Sequence, residues 1–181
     1  VGTLGSYWEA NMELIDIIPE FNLYEEFWKI YTKSDILPPQ YLADTSKVFR
    51  SIIGEGTQIY GEVYNSVIGS GVTIEEGAIV RDSIIMQNAR IGAGAVIDKS
   101  IIAEGTEIGE GAVLGVGDEA PNALNAKVYA FGLVTIGENS YIPPRVQIGK
   151  NTAISGVTEP SDYENGLLPS GGSIIKGGAA R

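Results

Sequence analysis

Cysteine and histidine are both absent from the 181 residues. Without cysteine no disulfide forms, and the redox compartment stays open, with the cytoplasm as the default expectation. Without histidine the chain has lost the commonest general base at neutral pH, and with both missing it has lost the usual zinc ligands. Positive charge is scarce as well: 12 basic residues stand against 23 acidic ones, for a net charge of −11. Nucleic acid and anionic membrane surfaces both need a basic face, so neither is expected as a partner. No hydrophobic run reaches the length of a transmembrane helix, and the first residues do not read as a signal peptide. Apolar residues are 44% of the chain, ample for the core of one domain.

What the chain has in place of these is a repeat. From Ile53 to Ile154 an aliphatic residue returns about every six positions: Ile53, Ile59, Ile68, Ile74, Val80, Ile85, Ile91, Ile97, Ile102, Ile108 and Leu114. After a break it resumes at Ile136, Ile142, Ile148 and Ile154. Two places before most of these stands something small, as at Thr57, Ala78, Ala89, Ala95, Thr106, Ala112, Ser140 and Thr152. Gly-rich corners follow, such as Gly92-Ala93-Gly94 and Gly109-Glu110-Gly111. Ser66-Val67-Ile68 returns as Ser83-Ile84-Ile85 and Ser100-Ile101-Ile102, each time 17 residues on, and Ser51-Ile52-Ile53 precedes the first by 15.

Helices need apolar residues at mixed spacings of three and four, and this stretch does not supply them. Short β segments joined by corners where Gly or Asn accepts positive φ do fit. Three segments of six, six and five residues close one turn of a triangular prism and account for the 17-residue period. Successive turns stack in parallel with aliphatic over aliphatic, and the small residues fill the corners where the walls converge. The fold class is mainly β: a parallel β-helix of hexapeptide repeats preceded by a short helical segment. Hexapeptide-repeat proteins include ones similar to acyltransferases with a catalytic histidine and ones similar to carbonic anhydrases with three zinc-binding histidines. Neither chemistry suits a chain with no histidine.

The chain divides into residues 1–33, a helix plus an aromatic segment; 34–46, a linker stiffened by Pro38-Pro39; 47–158, the β-helix with an excursion at 115–133; and 159–181, a tail. Ser6-Tyr7-Trp8-Glu9 has the form of a capping box, Trp8, Met12 and Ile15 share one helix face, and Pro19 closes the helix. Asn22-Leu23-Tyr24-Glu25 suits a cap on a further short turn, and Phe27 to Tyr31 reads as extended or irregular. The large apolar side chains of this segment are too few for a core, so they must pack on the β-helix or on a domain beyond the chain. The linker is expected to cover one open end of the prism and the segment from Ser155 to Ser173 the other. Tyr129 and Phe131 mark the excursion as contact-making, part of a subunit interface.

Several separate motifs carry a family resemblance. Val1-Gly2-Thr3 with Tyr7-Trp8-Glu9-Ala10-Asn11 looks like the end of the catalytic domain of sugar-phosphate nucleotidyltransferases. Trp28-Lys29-Ile30-Tyr31-Thr32, the Pro38-Pro39 linker and Gly61-Glu62-Val63-Tyr64-Asn65-Ser66-Val67-Ile68-Gly69 narrow it. Together they resemble the C-terminal part of bacterial ADP-glucose pyrophosphorylases, or glucose-1-phosphate adenylyltransferases; only residues 176–181 fall outside. The resemblance implies a left-handed β-helix and a Mg-dependent parent reaction of ATP with glucose 1-phosphate to give ADP-glucose and pyrophosphate. It implies no catalytic, cofactor or metal residue within this chain, because the Gly-rich phosphate loop with its Arg and the substrate Lys are not here. The metal-holding Asp of the family would stand just before Val1. As it stands the chain is expected to be inactive as an adenylyltransferase.

For the β-helix the resemblance implies association, commonly into homo-tetramers or with a related subunit, and a share in sites for phosphorylated-metabolite effectors. Such anions need Arg or Lys, and the candidates on the regular coils are Lys99, Arg81, Arg90 and Arg50. The plainer reading stacks Arg81 against Asp98 and Asp82 against Lys99, each 17 residues apart, as charge pairs on a solvated face. Arg90 and Arg50 have no obvious acidic neighbour in sequence. Asp118-Glu119 matches no calcium-loop spacing. A free-standing structural β-helix or a non-catalytic regulatory paralogue is the alternative; a start at Val1-Gly2-Thr3, in mid-motif and without Met, favours the enzyme part.

Overall fold

A computed structural model describes residues 2–19, 21–23, 26–27 and 36–177. The turn expected at Asn22 to Glu25, the aromatic stretch from Phe27 to Tyr31, the first part of the linker and the last four residues fall wholly or partly outside them. Three parallel sheets form the three faces of a β-helix. The first face has six strands, from Tyr41–Leu42 to Tyr141–Ile142; the second has seven, from Lys47–Phe49 to Leu167–Leu168; the third has seven, from Ile52–Ile53 to Ser173–Ile175.

The register follows the repeat. Ile91 pairs with Ile74 and Ile108, Ile97 with Val80 and Leu114, and Ile102 with Ile85 and Ile136. These inward aliphatics form one continuous buried column, and truncating a fully buried one such as Ile97 to Ala would cost about 2–5 kcal/mol. The small residues Thr57, Ala78, Ala89, Ala95, Thr106, Ala112, Ser140 and Thr152 are buried at the corners as expected. Two glycines of one corner show two different needs. A Cβ on Gly92 would lie 2.7 Å from the carbonyl oxygen of Ile108, so Gly92 permits the close stacking of coils, whereas Gly94 sits at φ +65°.

The β-helix is longer than 47–158. Tyr41–Leu42 already pairs with Gln58–Ile59, so the linker ends in the first coil. Beyond residue 158, Leu167–Leu168 pairs with Gln147–Ile148 and Ser173–Ile175 with Ala153–Ser155, so most of the described tail is a further coil. That coil is plugged by Tyr163, buried among the core residues with its hydroxyl 2.8 Å from the Thr158 Oγ1. The excursion leaves the second face after Val116, at a register shift between Leu114 and Val116, and rejoins the third face at Val134. Because Ile102 pairs with Ile136, 34 residues on, the excursion takes the length of one 17-residue coil and leaves the core in register.

The helix α1 spans Leu4–Glu13. Thr3, not Ser6, is its N-cap: the Thr3 Oγ1 accepts from the Ser6 amide, and the Thr3 amide donates in turn to the Ser6 hydroxyl. A hydroxyl serves the third helical position as well as the expected Glu would, which shifts the start by three residues. The helix ends before Ile15, so Pro19 does not close it. Leu4, Tyr7, Trp8 and Met12 form its apolar stripe and pack on Ile84, Ile101, Leu133 and Met86 of the solenoid. None of the helices of the described residues is long and apolar enough to cross a membrane.

Candidate functional site

The corner between the second and third faces carries two of the four candidate cations, Arg50 and Lys99. Arg50, Asn65, Asp82 and Lys99 occupy it in four successive coils, each in the left-handed region with φ of 43°, 46°, 45° and 42°. Immediately after each stands a serine, and the serines hold the corner together. The Ser66, Ser83 and Ser100 amides donate to the hydroxyls of Ser51, Ser66 and Ser83 at 3.0–3.1 Å. Each of the four hydroxyls donates in turn to the carbonyl two residues back. Non-glycine residues at positive φ carry strain, and this ladder supplies the fixed bonds that keep them there. The recurring Ser-Ile-Ile triplet is the signature of that ladder.

Along this corner the N-terminal segment docks. The Trp8 indole donates to the Asp82 carbonyl at 2.7 Å, the Lys99 Nζ lies 5.6 Å from the Trp8 ring centroid, and the Arg50 guanidinium meets Asp16 at 3.2 Å. One column residue in each of three coils therefore touches α1 or the turn after it. An ammonium over an indole is worth about 0.5–1 kcal/mol at an exposed site.

The four candidate cations do not converge. Arg50 and Lys99 share the corner but stand three coils apart, about 14 Å at roughly 4.8 Å per coil. Arg81 lies on the second face in register with Asp98, as the period requires, yet its guanidinium turns to the Tyr64 ring, 5.9 Å from the centroid. Tyr64 stacks on Phe49 with centroids 5.4 Å apart. Asp82 gives its carboxylate to the Asn65 amide and Lys99 turns to Trp8, so neither stacked charge pair forms an ion pair among the described residues. The expectation that Arg90 and Arg50 lack acidic neighbours is corrected. Arg90 on the first face meets Glu75 at 2.9 Å, two residues beyond its register partner Thr73, and Arg50 meets Asp16 from outside the repeat.

Below Arg81 the second face carries a further polar cluster. Lys47 holds the Glu62 carboxylate at 2.7 Å and the Tyr64 hydroxyl donates to it at 2.6 Å. The lysine bond, then the tyrosine bond, keep the Glu62 carboxyl below its ordinary range, and the same carboxylate raises Lys47 and Tyr64. Elsewhere, Arg145, Gln147, Glu164, Asn165 and Leu167 line a depression of about 380 Å³ near the last coils. Arg145 stands after the break in the repeat and is not among the four sequence candidates.

One aromatic of the excursion, though half exposed, also meets the N-terminal helix. Phe131, at φ 63°, lays its ring against Gly5 of α1, where a Cβ would lie 2.5 Å from two ring carbons. The residues sequence reasoning missed are Trp8, as the partner of Lys99, and Asn122 and Asn151, both buried and both bonded across the excursion. Asn151 had a signal, its place at a corner after a strand; Asn122 had none.

Stacked coils with hydrogen-bonded corners and a buried aliphatic column define a hexapeptide-repeat β-helix protein. The sequence profile of the GlmU-like, C-terminal hexapeptide family matches residues 40–136, and the chain belongs to that family. It is 69% identical to the glucose-1-phosphate adenylyltransferase of Lachnospira eligens over 98% of this chain and 42% of that protein. With the enzyme of the same name from Thermotoga maritima it shares 52% identity over 97% of this chain and 41% of that protein. With that from Acetivibrio thermocellus it shares 41% over 98% and 42%. The chain thus spans less than half the length of these relatives and matches their C-terminal part.

Proposed function

We propose that this chain is the association and allosteric-regulatory part of a glucose-1-phosphate adenylyltransferase, inactive by itself. The parent joins ATP and glucose 1-phosphate to ADP-glucose and pyrophosphate with Mg, supplying glycogen biosynthesis in the cytoplasm. The observation that carries the reading is 69% identity extending over 98% of the chain, including α1 as well as the repeats. The docked α1 supports it: a segment outside the repeat is held by three corner residues and an apolar stripe, as a junction between two functional parts requires.

Association is supported by the first coil. Strands Tyr41–Leu42, Lys47–Phe49 and Ile52–Ile53 are the outermost of their sheets, and Tyr41, Leu42 and Phe49 are about half exposed there. Among the described residues no further strand pairs with this edge, and a sheet edge with apolar side chains favours pairing with another subunit. Among the four cations, Lys99 is the best placed to meet a phosphorylated effector. It forms no ion pair among the described residues and stands where α1, the corner and the excursion meet.

The test measures ADP-glucose formation by the full-length parent and by residues 1–181 alone. Activity is expected only from the parent, and Lys99→Ala in the parent is expected to raise the effector concentration for half-maximal response about tenfold at an unchanged basal rate. ADP-glucose formation by residues 1–181 alone, or a parent without this activity, refutes the reading.

A further inference from the structure

We propose that the excursion, residues 117–133, is a strap that couples the last coils of the solenoid to α1, with Asn122 anchoring one end and Phe131 gripping the helix at the other.

The anchor is a closed set of polar contacts in a buried place. The Asn122 side-chain amide donates to the Asn151 carbonyl at 2.8 Å, the Gly172 carbonyl at 3.2 Å and the Ser173 hydroxyl at 3.0 Å. Its oxygen accepts from the Leu124 and Asn125 amides at 2.9 Å, which folds the excursion about it. Asn151 answers from the solenoid: its amide donates to the Ala120 carbonyl at 3.0 Å, and its oxygen accepts from the Gly132 amide at 2.7 Å. Pro121 presses its carbonyl against Gly171, where no side chain would fit, and the Ala123 amide bonds the Gly171 carbonyl. Residues 171–173 belong to the last described coil, far along the chain from α1.

The grip follows from the anchor. Phe131 and Gly132 are consecutive left-handed residues, at φ 63° and 73°, and a bulky side chain takes that conformation only when its surroundings over-determine it. Here the determinant is the bond from the Gly132 amide to Asn151. That conformation aims the Phe131 ring into the notch of Gly5, and the next residue, Leu133, is buried in the cluster that receives Leu4, Tyr7, Trp8 and Met12. The Lys99 and Glu119 side chains both lie close to Gly132. Asn122 acts through Asn151: its loss frees the Asn151 backbone that it holds, the Asn151 side chain no longer fixes Gly132, the ring leaves Gly5, and α1 loses one wall of its seat. By linkage the effect runs both ways: what displaces α1 loosens the strap at the last coils.

Hydrogen exchange on residues 1–181 tests this, with amides of the central coils at Ile85 and Ile102 as an internal check that the solenoid stays folded. Asn122→Ala and Phe131→Ala are each expected to speed exchange across α1 on the order of tenfold while the central amides stay unchanged. Tyr163→Phe, which removes a hydrogen bond in the last coils without touching the excursion, is expected to leave α1 unchanged. Gly5→Ala separates the strap from helix propensity. Alanine favours an isolated helix and would slow exchange, whereas displacement of the Phe131 ring speeds it. Unchanged α1 exchange in Asn122→Ala, equal loss in Tyr163→Phe, or slower exchange in Gly5→Ala overturns the proposal. Should Asn122→Ala fail to fold, Phe131→Ala and Gly5→Ala decide.

Discussion

The serine ladder makes a prediction that burial alone does not. Ser83→Ala removes a hydroxyl that donates to the Arg81 carbonyl and accepts from the Ser100 amide at 3.0 Å, both within the wall of the solenoid. Leaving a buried amide without a partner costs about 1–3 kcal/mol, and the lost bond to the carbonyl about 1 kcal/mol more. A methyl group needs no solvation and returns part of that, so the expected loss is about 2–3 kcal/mol. Ser100 is equally buried, yet among the described residues no amide donates to its hydroxyl, and Ser100→Ala should cost only about 1 kcal/mol. Ser51 does accept from Ser66, but at the half-exposed first coil, where solvent can replace it; about 0.5–1 kcal/mol is expected. Urea titration gives the midpoints, and native-state exchange at residues 84 and 101 gives the local values, since stacked coils need not unfold as one unit. The reasoning is refuted if Ser100→Ala costs as much as Ser83→Ala.

Burial raises the Tyr163 hydroxyl above the ordinary tyrosine value of 10.0. The unfolded chain then releases this proton first, so the contribution is intact below about pH 10 and declines as pH rises through the folded value; Tyr163→Phe should make thermal stability fall less steeply above pH 10. Gly61→Ala places a Cβ against the Ala78 carbonyl of the next coil, backbone that cannot give way, and should cost about 1–3 kcal/mol in a urea melt. Thr135→Val should do the reverse, because the Thr135 Oγ1 is buried with no hydrogen-bond partner; a gain of about 1 kcal/mol is expected, and a loss would show that the hydroxyl is satisfied.

Sequence periodicity carried the solenoid because its core tolerates little else. Each inward position must be aliphatic and each corner small or left-handed, so Ile59, Ile74, Ile91 and Ile108 announce their stacking before any coordinate is known. The ends of the solenoid were less visible. Leu167–Leu168 and Ser173–Ile175 lie in coils whose spacing departs from 17, and pairing rather than period brings them into the sheets. The helix start moved because Thr3-Leu4-Gly5-Ser6 caps as well as Ser6-Tyr7-Trp8-Glu9 does, and only the packing of Leu4 and Tyr7 on the third face decides between them.

At the corner, the period places residues but not the directions of their side chains. Asp98 does stand beside Arg81, and Lys99 one coil from Asp82, as the 17-residue repeat requires. What the period cannot contain is a competitor from outside it. Tyr64, one coil earlier, offers Arg81 a ring, and Trp8, from a helix with no repeat at all, offers one to Lys99 while bonding the Asp82 carbonyl. Exposed charge pairs contribute too little to outbid a docked aromatic side chain that also buries apolar surface. The same weakness of surface charge leaves the corner free to be occupied by whatever packs there best. That is why α1 and the turn after it, rather than a row of ion pairs between coils, lie along Arg50, Asp82 and Lys99.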